Sequence, residues 1–226
     1  PGLTPGNPAG LQSTDNPAMT IDSIASSSIP RRRLLLGAAA LASACWLAGC
    51  GDKPAFKGVD ITGADYGREL SLPDQDGRQR QLTDFKGRVV VLFFGYTQCP
   101  DVCPTSLSEL AQAKRLLGSD GERLQGLFVS VDPQRDTPDI MRAYMASFDA
   151  GFLALLPTPA ELPALAKSFK VYYKPVQGAT PTSYTMDHSA GSYVYDTQGR
   201  LRVYHRYGSG AEALAADVRL LLAEAR

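Results

Sequence analysis

Few residues in this chain are of the kinds that bind metals or form disulfides, since its 226 residues include only four cysteines and two histidines. So few cysteines exclude a framework of structural disulfides. Charge of one sign is not in excess either, because 23 basic residues balance 23 acidic residues. That balance gives no indication of nucleic acid as a partner. No internal repeats are apparent, and the hydrophobic share of 44% is ordinary for a globular protein.

The first thirty residues are rich in Pro, Gly, Ser, Asn and Thr and lack hydrophobic periodicity. Such a composition is typical of disordered chain, so residues 1–30 are predicted to be a disordered extension. Met19 is a candidate for the true start of the protein. The residues before it would then be an upstream extension or a cloning artefact.

An export signal is predicted over residues 31–49. Three arginines at 31–33 precede an apolar run that ends in small residues. The run is slightly short for a membrane-crossing helix of about 20 residues, although an uncleaved anchor helix remains the alternative. The arginines also resemble a twin-arginine export signal, whose usual neighbours are only partly present.

The end of this segment, Leu-Ala-Gly-Cys up to Cys50, resembles the lipobox of bacterial lipoproteins. The resemblance implies cleavage before Cys50 and attachment of lipid to its thiol. Residues 50–65 would then be a lipidated polar tether. We expect residues 66–226 to form one folded domain, anchored to a bacterial cell membrane and facing the periplasm or another extracytoplasmic space.

Once the signal is removed and Cys50 carries lipid, only Cys99 and Cys103 remain as thiols of the folded domain. They follow six apolar residues, 89–94, which are typical of a strand buried on both faces. They also begin a helical pattern that runs to about residue 117. A helix N-terminus has unpaired N–H groups and about half a positive charge, which favours thiolate over thiol. Deprotonated sulfurs on a rigid support indicate a redox centre or a metal site.

The pattern of residues 66–226 predicts an α/β fold with a central mixed β-sheet flanked by helices and an N-terminal hairpin. The order of predicted elements matches the thioredoxin arrangement. These elements are a hairpin at 70–82, the strand at 89–94, a helix to about 117, a strand at 124–131, a helix from 136, a helix at about 159–170, a loop at 175–187, a hairpin at 192–205 and an amphipathic helix at 211–225.

The spacing of the two cysteines bears on the choice between metal and redox chemistry. Three residues separate Cys99 from Cys103, whereas thioredoxin-type redox sites have two. On a helix, positions i and i+4 lie about 5–6 Å apart at Cβ, so both sulfurs can reach one ion through bonds of about 2.3 Å. A disulfide prefers Cβ atoms about 3.8 Å apart and would need local bending. The spacing favours metal without excluding redox chemistry. Two inert buried cysteines are a third reading, disfavoured because thiols outside the cytoplasm are normally oxidised or occupied.

A site with two thiolates needs a third donor, and only two histidines are available. His205 lies in a strand pattern, and we interpret it as a half-buried strand residue. His188 follows the predicted loop 175–187 and enters the sheet, so it is better placed to reach the cysteines. Two thiolates and an imidazole suit copper, above all Cu(I), and suit zinc less well without a fourth donor. Asp132 ends a neighbouring strand and is a candidate orienter of His188 from the second shell, or else it caps the turn with Pro133.

Three runs of the sequence resemble the Sco/SenC family of copper proteins. They are Phe-Phe-Gly-Tyr-Thr-Gln-Cys-Pro-Asp-Val-Cys-Pro at 93–104, Val-Ser-Val-Asp-Pro-Gln-Arg-Asp-Thr-Pro at 129–138 and Asp-His-Ser at 187–189. The resemblance implies a thioredoxin-like fold that binds copper, Cu(I) or Cu(II), through Cys99, Cys103 and His188. Gln98 stands where many relatives have another residue, a difference not expected to affect copper ligation.

The family resemblance implies a membrane-tethered metallochaperone that helps to assemble the copper centre of cytochrome c oxidase. Its expected partner is the copper-carrying subunit of the oxidase, together with other periplasmic copper chaperones or thiol-disulfide proteins. The alternative is an enzyme, either a thiol-disulfide oxidoreductase or a thiol peroxidase. In that case Cys99 would attack and Cys103 would resolve the mixed disulfide.

Overall fold

A computed structural model describes residues 55–180 and 183–225 of the chain. The predicted extension at 1–30 with Met19, the predicted export signal at 31–49 and the predicted lipidation site Cys50 lie outside the described residues. Within the described part, no helix is both long enough and apolar enough to cross a bilayer.

The described residues form ten strands and four α-helices. The strands are β1 (Val59–Asp60), β2 (Ser71–Pro73), β3 (Gln79–Gln81), β4 (Val89–Gly95), β5 (Leu124–Ser130), β6 (Leu153–Leu155), β7 (Tyr173–Gln177), β8 (Tyr184–His188), β9 (Ser192–Tyr195) and β10 (Leu201–His205). The α-helices are α1 (Val102–Leu116), α2 (Pro138–Ala146), α3 (Leu162–Ser168) and α4 (Ala211–Ala223).

A six-stranded mixed sheet is the centre of the fold, in the order β1, β10, β9, β4, β5, β6. β5 runs parallel to both β4 and β6, whereas the other neighbours are antiparallel. All seven residues of β4 are buried, as the unbroken apolar run at 89–94 predicts. Helix α1 packs against α4, α4 also contacts β4, and α2 contacts β6. The predicted mixed sheet flanked by helices is confirmed.

Two hairpins lie outside this sheet. The N-terminal one, β2 with β3, has the predicted position, and Gly77 in its turn has a φ of +78°, which glycine adopts without strain. The second, β7 with β8, differs from the sequence-based prediction, because a sequence rich in Pro, Gly, Thr and Ser predicts a loop at 175–187. Pro175 is tolerated in it because each strand of a two-stranded sheet is an edge strand.

The folded part begins before residue 66, which corrects the predicted boundary of the tether. Strand β1 pairs with β10 and extends the central sheet. The backbone N–H groups of Lys57 and Gly58 donate hydrogen bonds of 2.7 and 2.8 Å to the buried carboxylate of Asp217. The later part of the predicted tether, from about residue 57, is therefore attached to the domain.

Candidate metal centre

The two cysteines lie where the central strand gives way to the first helix. β4 ends at Gly95, and a short connection that contains Cys99 leads to α1, whose first turn contains Cys103. Cys99 is half-buried, Cys103 is fully buried, and both are free thiols. The backbone N–H of Cys103 donates to Cys99 Sγ at 3.5 Å. The expectation that both cysteines lie on the helix is wrong, because Cys99 precedes it and its sulfur instead accepts one of the unpaired N–H groups of the helix end.

The expected preference of this helix end for thiolate does not hold for Cys103. Burial raises the pKa of the Cys103 thiol well above its ordinary value, although a backbone hydrogen bond from Tyr96 opposes the shift. The cost of removing a thiolate from water here exceeds the stabilisation that the hydrogen bond from Tyr96 provides. The buried sulfur therefore carries its proton unless a cation takes its place.

His188, at the end of β8, completes the group. Its Nε2 lies 3.5 Å from Cys103 Sγ, and its Nδ1 lies 2.9 Å from the carbonyl oxygen of Ser189. Because a carbonyl oxygen only accepts hydrogen bonds, this contact requires the ring proton on Nδ1 and leaves the lone pair of Nε2 towards the sulfurs. Burial lowers the pKa of His188, which favours the neutral ring that a metal requires.

Edge-on aromatic contacts fix the plane of this ring. The rings of Phe93 and Tyr96 meet the imidazole of His188 at centroid distances of 6.0 and 5.8 Å, with interplanar angles of 79° and 89°. Phe93 belongs to β4 and Tyr96 follows it, so the central strand orients the histidine as well as the cysteines. These contacts add rigidity to a site drawn from two distant segments.

The ligand atoms of Cys99, Cys103 and His188 all lie within 4.8 Å of one another. This limit is close to twice a metal–sulfur bond of about 2.3 Å, so one ion can be bound after only small movements. Two soft sulfurs and one imidazole suit copper better than hard cations such as magnesium. The three residues selected from the sequence are thus brought together, and their chemistry fits the group that the resemblance implies.

Asp132 does not contact His188 in the way that was expected. Its Oδ1 accepts a hydrogen bond of 2.8 Å from the hydroxyl of Tyr184, and its Oδ2 is paired with Arg135. The ring nitrogen of His188 that Asp132 was expected to orient is bound by Ser189 instead. Asp132 is linked to His188 indirectly, through Tyr184 of the hairpin and through Arg135, whose Cζ lies 5.7 Å from the centroid of the Tyr96 ring that contacts the imidazole.

The second histidine is more deeply buried than expected. His205 ends β10 as predicted, but it is only 4% exposed, and its Nε2 lies 2.8 Å from Asp217 Oδ2. That carboxylate also holds the backbone of residues 57 and 58. His205 therefore belongs to a structural pair that attaches the start of the domain.

One buried carboxylate near the site was missed by sequence reasoning, which took Asp136 only as the start of a helix. Its Oδ1 accepts hydrogen bonds from the backbone N–H and the hydroxyl of Thr97, at 3.2 and 2.6 Å, and its Oδ2 accepts one of 2.6 Å from Ser130. Burial raises the pKa of Asp136, although these hydrogen bonds oppose the shift. Asp136 thereby fixes the connection that contains Cys99, and the available signals were its position shortly after a buried strand and its place in the family-like run at 129–138.

The fold and the ligand group together define a thioredoxin-like protein with a candidate metal site of two thiols and one imidazole. A family model described as SCO1/SenC matches residues 59–223. The chain therefore belongs to the SCO1/SenC family, and the resemblance seen in its sequence is confirmed.

Related proteins come from mitochondria and bacteria. The chain is 34% identical over 160 residues to the bovine mitochondrial SCO2 homolog, a match that covers 70% of this chain but only 60% of the bovine protein. It is 31% identical over 152 residues to an SCO2-like protein of Rickettsia felis, covering 66% of this chain and 74% of the relative.

Solved structures of the family share the fold. ScoI of Bradyrhizobium japonicum, determined with copper bound, is 40% identical with a TM-score of 0.62, and the match covers 69% of this chain and 98% of that protein. Apo Sco1 of Thermus thermophilus is 34% identical with a TM-score of 0.66, and the match covers 76% and 99% of the two chains.

Proposed function

We propose that this protein is a copper-binding metallochaperone that helps to assemble the copper centre of cytochrome c oxidase. Copper is its cargo, bound by the thiolates of Cys99 and Cys103 and the imidazole of His188. The observation that carries the proposal is the approach of His188 Nε2 to Cys103 Sγ at 3.5 Å from a separate hairpin. A disulfide site alone would not need the imidazole.

The burial of the ligands suits both retention and release of the ion. Cys103 is inaccessible, so its sulfur exchanges a proton for the ion inside the protein. Cys99 and His188 are half-buried, so the ligands of an acceptor can approach the ion from their side. Release then proceeds by stepwise ligand exchange in which the bond between Cys103 and copper is the last to break. The acceptor we propose is the copper-carrying subunit of the oxidase.

The predicted export signal and Cys50 support a further part of the proposal, a lipid anchor on the extracytoplasmic face of a bacterial membrane. Replacing Cys50 with serine is expected to abolish labelling by a radioactive fatty acid and to release the protein from the membrane fraction. Retention of the variant in that fraction would instead support an uncleaved anchor helix.

His188→Ala tests the copper assignment. The affinity for copper should fall by more than the roughly 10–100-fold typical of losing an outer-shell partner, because a direct ligand is removed. The band from thiolate-to-copper charge transfer, which we expect at one Cu(II) per reduced wild-type chain, should be lost or shifted. Thr185→Ala changes an exposed residue of the same strand and is the matched control. Wild-type copper affinity in His188→Ala would refute the three-ligand site.

Thiol-disulfide exchange is the second candidate function, and the unequal exposure of the cysteines favours it. Half-buried Cys99 is open to attack a disulfide of a partner, and buried Cys103 lies next to it to resolve the mixed disulfide. Each exchange would oxidise the pair to a disulfide and reduce the partner to two thiols. His188→Ala should leave this exchange rate nearly unchanged, so the two functions are separated by one variant.

A further inference from the structure

The metal centre is assembled from two segments, and the side chain of Arg135 joins them. One segment is the connection between β4 and α1, which contains Gln98 and Cys99, and the other is the β7–β8 hairpin, which contains Tyr184 and His188. Arg135 follows β5 and lies between the two. We call its contacts with Asp132, Gln98 and Tyr184 the Arg135 bridge.

The guanidinium of Arg135 makes its three hydrogen bonds through two nitrogens, Nη1 and Nε. Its Nη1 donates to Gln98 Oε1 at 2.9 Å and to the backbone carbonyl of Tyr184 at 2.8 Å, while its Nε donates to Asp132. Because Nη1 has two hydrogens, one nitrogen connects the two segments directly. Its side chain is 19% exposed, so these charge-assisted bonds are only partly screened by water.

Tyr184 is held at three points. Its ring stacks on the guanidinium, with 3.5 Å between the ring centroid and Cζ of Arg135. Its carbonyl accepts from the same guanidinium, and its hydroxyl donates to Asp132 at 2.8 Å. A planar guanidinium can stack through its face and donate through its edge at once, which a lysine ammonium cannot do.

The bridge contacts the hairpin at the end of β8 that lies away from the base of the hairpin. At the base, Ser189 N–H donates to the carbonyl of Tyr172, and Tyr172 N–H donates to the hydroxyl of Ser189. At the other end of β8, Tyr184 pairs with Gln177 next to the turn. An isolated two-stranded hairpin is marginally stable in water, so contacts at both ends matter for the position of the strand.

We propose that Arg135 is a positioning residue that holds the histidine hairpin against the cysteine connection and so sets His188 at the distance that copper requires. The proposal rests on the copper-binding function proposed above. It adds a residue that touches neither the ion nor its ligands and that acts through Tyr184 and Gln98.

The decisive measurement is backbone hydrogen exchange on the metal-free, reduced protein. In Arg135→Gln, the hydrogen-bonded amides of β7 and β8 should exchange about tenfold to hundredfold faster, the range expected from losing the one charge-assisted hydrogen bond that Arg135 donates to the hairpin. Amides of β4 and β5 should keep their rates. Copper should also dissociate faster from this variant into excess chelator, by a similar factor.

Arg142→Gln is the matched control. Arg142 also makes three contacts, to Asp76, to Asp139 and to the carbonyl of Gln75, none of which belongs to the cysteine connection or to the histidine hairpin. This variant should leave exchange in β7 and β8 at the wild-type rate. Arg135→Lys keeps the charge but loses the planar edge and face, so it should behave almost like Arg135→Gln. If Arg135→Gln does not fold, the same exchange and dissociation measurements are made on Arg135→Lys.

Unchanged exchange in β7 and β8 would overturn the proposal, and so would acceleration spread equally over β4 and β5, which would show a general loss of stability. Full rescue by lysine would overturn it as well, because charge alone would then suffice. Failure of the wild-type protein to bind copper would count against the proposed function and not against the bridge, since the exchange measurement contains no metal.

Discussion

Replacing Gly95 with alanine is expected to disturb the metal centre by crowding the side chain of Cys103. A Cβ at this position would lie 2.8 Å from each of three side-chain atoms, Cys103 Sγ, Phe128 Cζ and Phe93 Cε1. Ordinary contacts of a Cβ begin at 3.4 Å, so each neighbour would have to move by several tenths of an ångström. All three side chains are at most 1% exposed, so they belong to the packed interior.

The loss of unfolding free energy in Gly95→Ala follows from the packing alone. Inserting a methyl group into a filled core costs about 1–3 kcal/mol, which for a domain of 150–250 residues lowers the melting temperature by about 2–12 °C. Metal–ligand distances are held within about 0.2 Å, so a sulfur displaced further than that weakens the site. We therefore expect Gly95→Ala to lower both the stability of the metal-free protein and its affinity for copper. Urea unfolding and competition with a copper chelator measure the two effects.

Gly126→Ala provides a matched control in the neighbouring strand. Its Cβ would lie 2.7 Å from Phe152 Cδ1 and 3.0 Å from Leu110 Cδ2, so the crowding is similar, but no cysteine is involved. It should be destabilised by a similar amount and keep its copper affinity. Equal copper affinities in the two variants would refute the claim that the effect of Gly95 passes through Cys103. Wild-type stability in Gly95→Ala would refute the packing argument itself.

Three further outcomes are expected. Burial raises the pKa of Asp217, but hydrogen bonds led by that from His205 outweigh it and lower the pKa below its ordinary 3.8. The stabilising effect of Asp217 is therefore present above pH 3.8 and is lost as the pH falls through the lower folded value. The urea midpoint of Asp217→Asn should vary less with pH in that range than the wild-type midpoint, and equal variation would contradict the assignment. Thr97→Val removes the 2.6 Å hydrogen bond to buried Asp136 and should cost about 1–3 kcal/mol of unfolding free energy by urea titration, whereas Thr97→Ser should cost much less. Met141→Ala empties a fully buried position and should cost about 2–5 kcal/mol by the same measurement, and a cost near zero would show that the core closes over the cavity.

The sequence was most informative where the hydrophobic pattern and the burial agree. The unbroken apolar run at 89–94 predicted the central strand, and the apolar run from residue 124 predicted its parallel neighbour β5. The final helix, predicted at 211–225, ends two residues earlier, at Ala223. These elements are buried over most of their length, so their composition alone distinguishes them from loops.

Elements whose structure depends on distant partners were not predictable in the same way. The hairpin that contains His188 has Pro175, Gly178 and several hydroxyl residues, a composition that indicates a loop, and its two strands pair only with each other. Strand β1 has only two residues, both exposed, and exists because β10 offers it an edge. Local composition does not predict such pairing, because tertiary contacts stabilise these strands.

The candidate site shows the same division. Residue type and spacing indicated Cys99 and Cys103 and made His188 the better placed histidine, because so few soft ligands were available, and the resemblance to the Sco/SenC family implied the complete ligand set. The effect of burial on the Cys103 thiol and the partners of Asp132 were not predictable. Both depend on which side chains the fold packs around them, and a charge pattern in one dimension does not contain that information.

Cys103 and His188 are separated by 85 positions along the chain and come within 3.5 Å only in the finished fold. A nascent or unfolded polypeptide offers an ion two neighbouring sulfurs at most, so tight loading has to wait until synthesis has passed β8 and the sheet has closed. An ion bound there then favours the native state over every unfolded one by mass action. Under the proposed function, copper loading would therefore depend on complete folding, because a misfolded copy would have no complete site with which to carry copper to an acceptor.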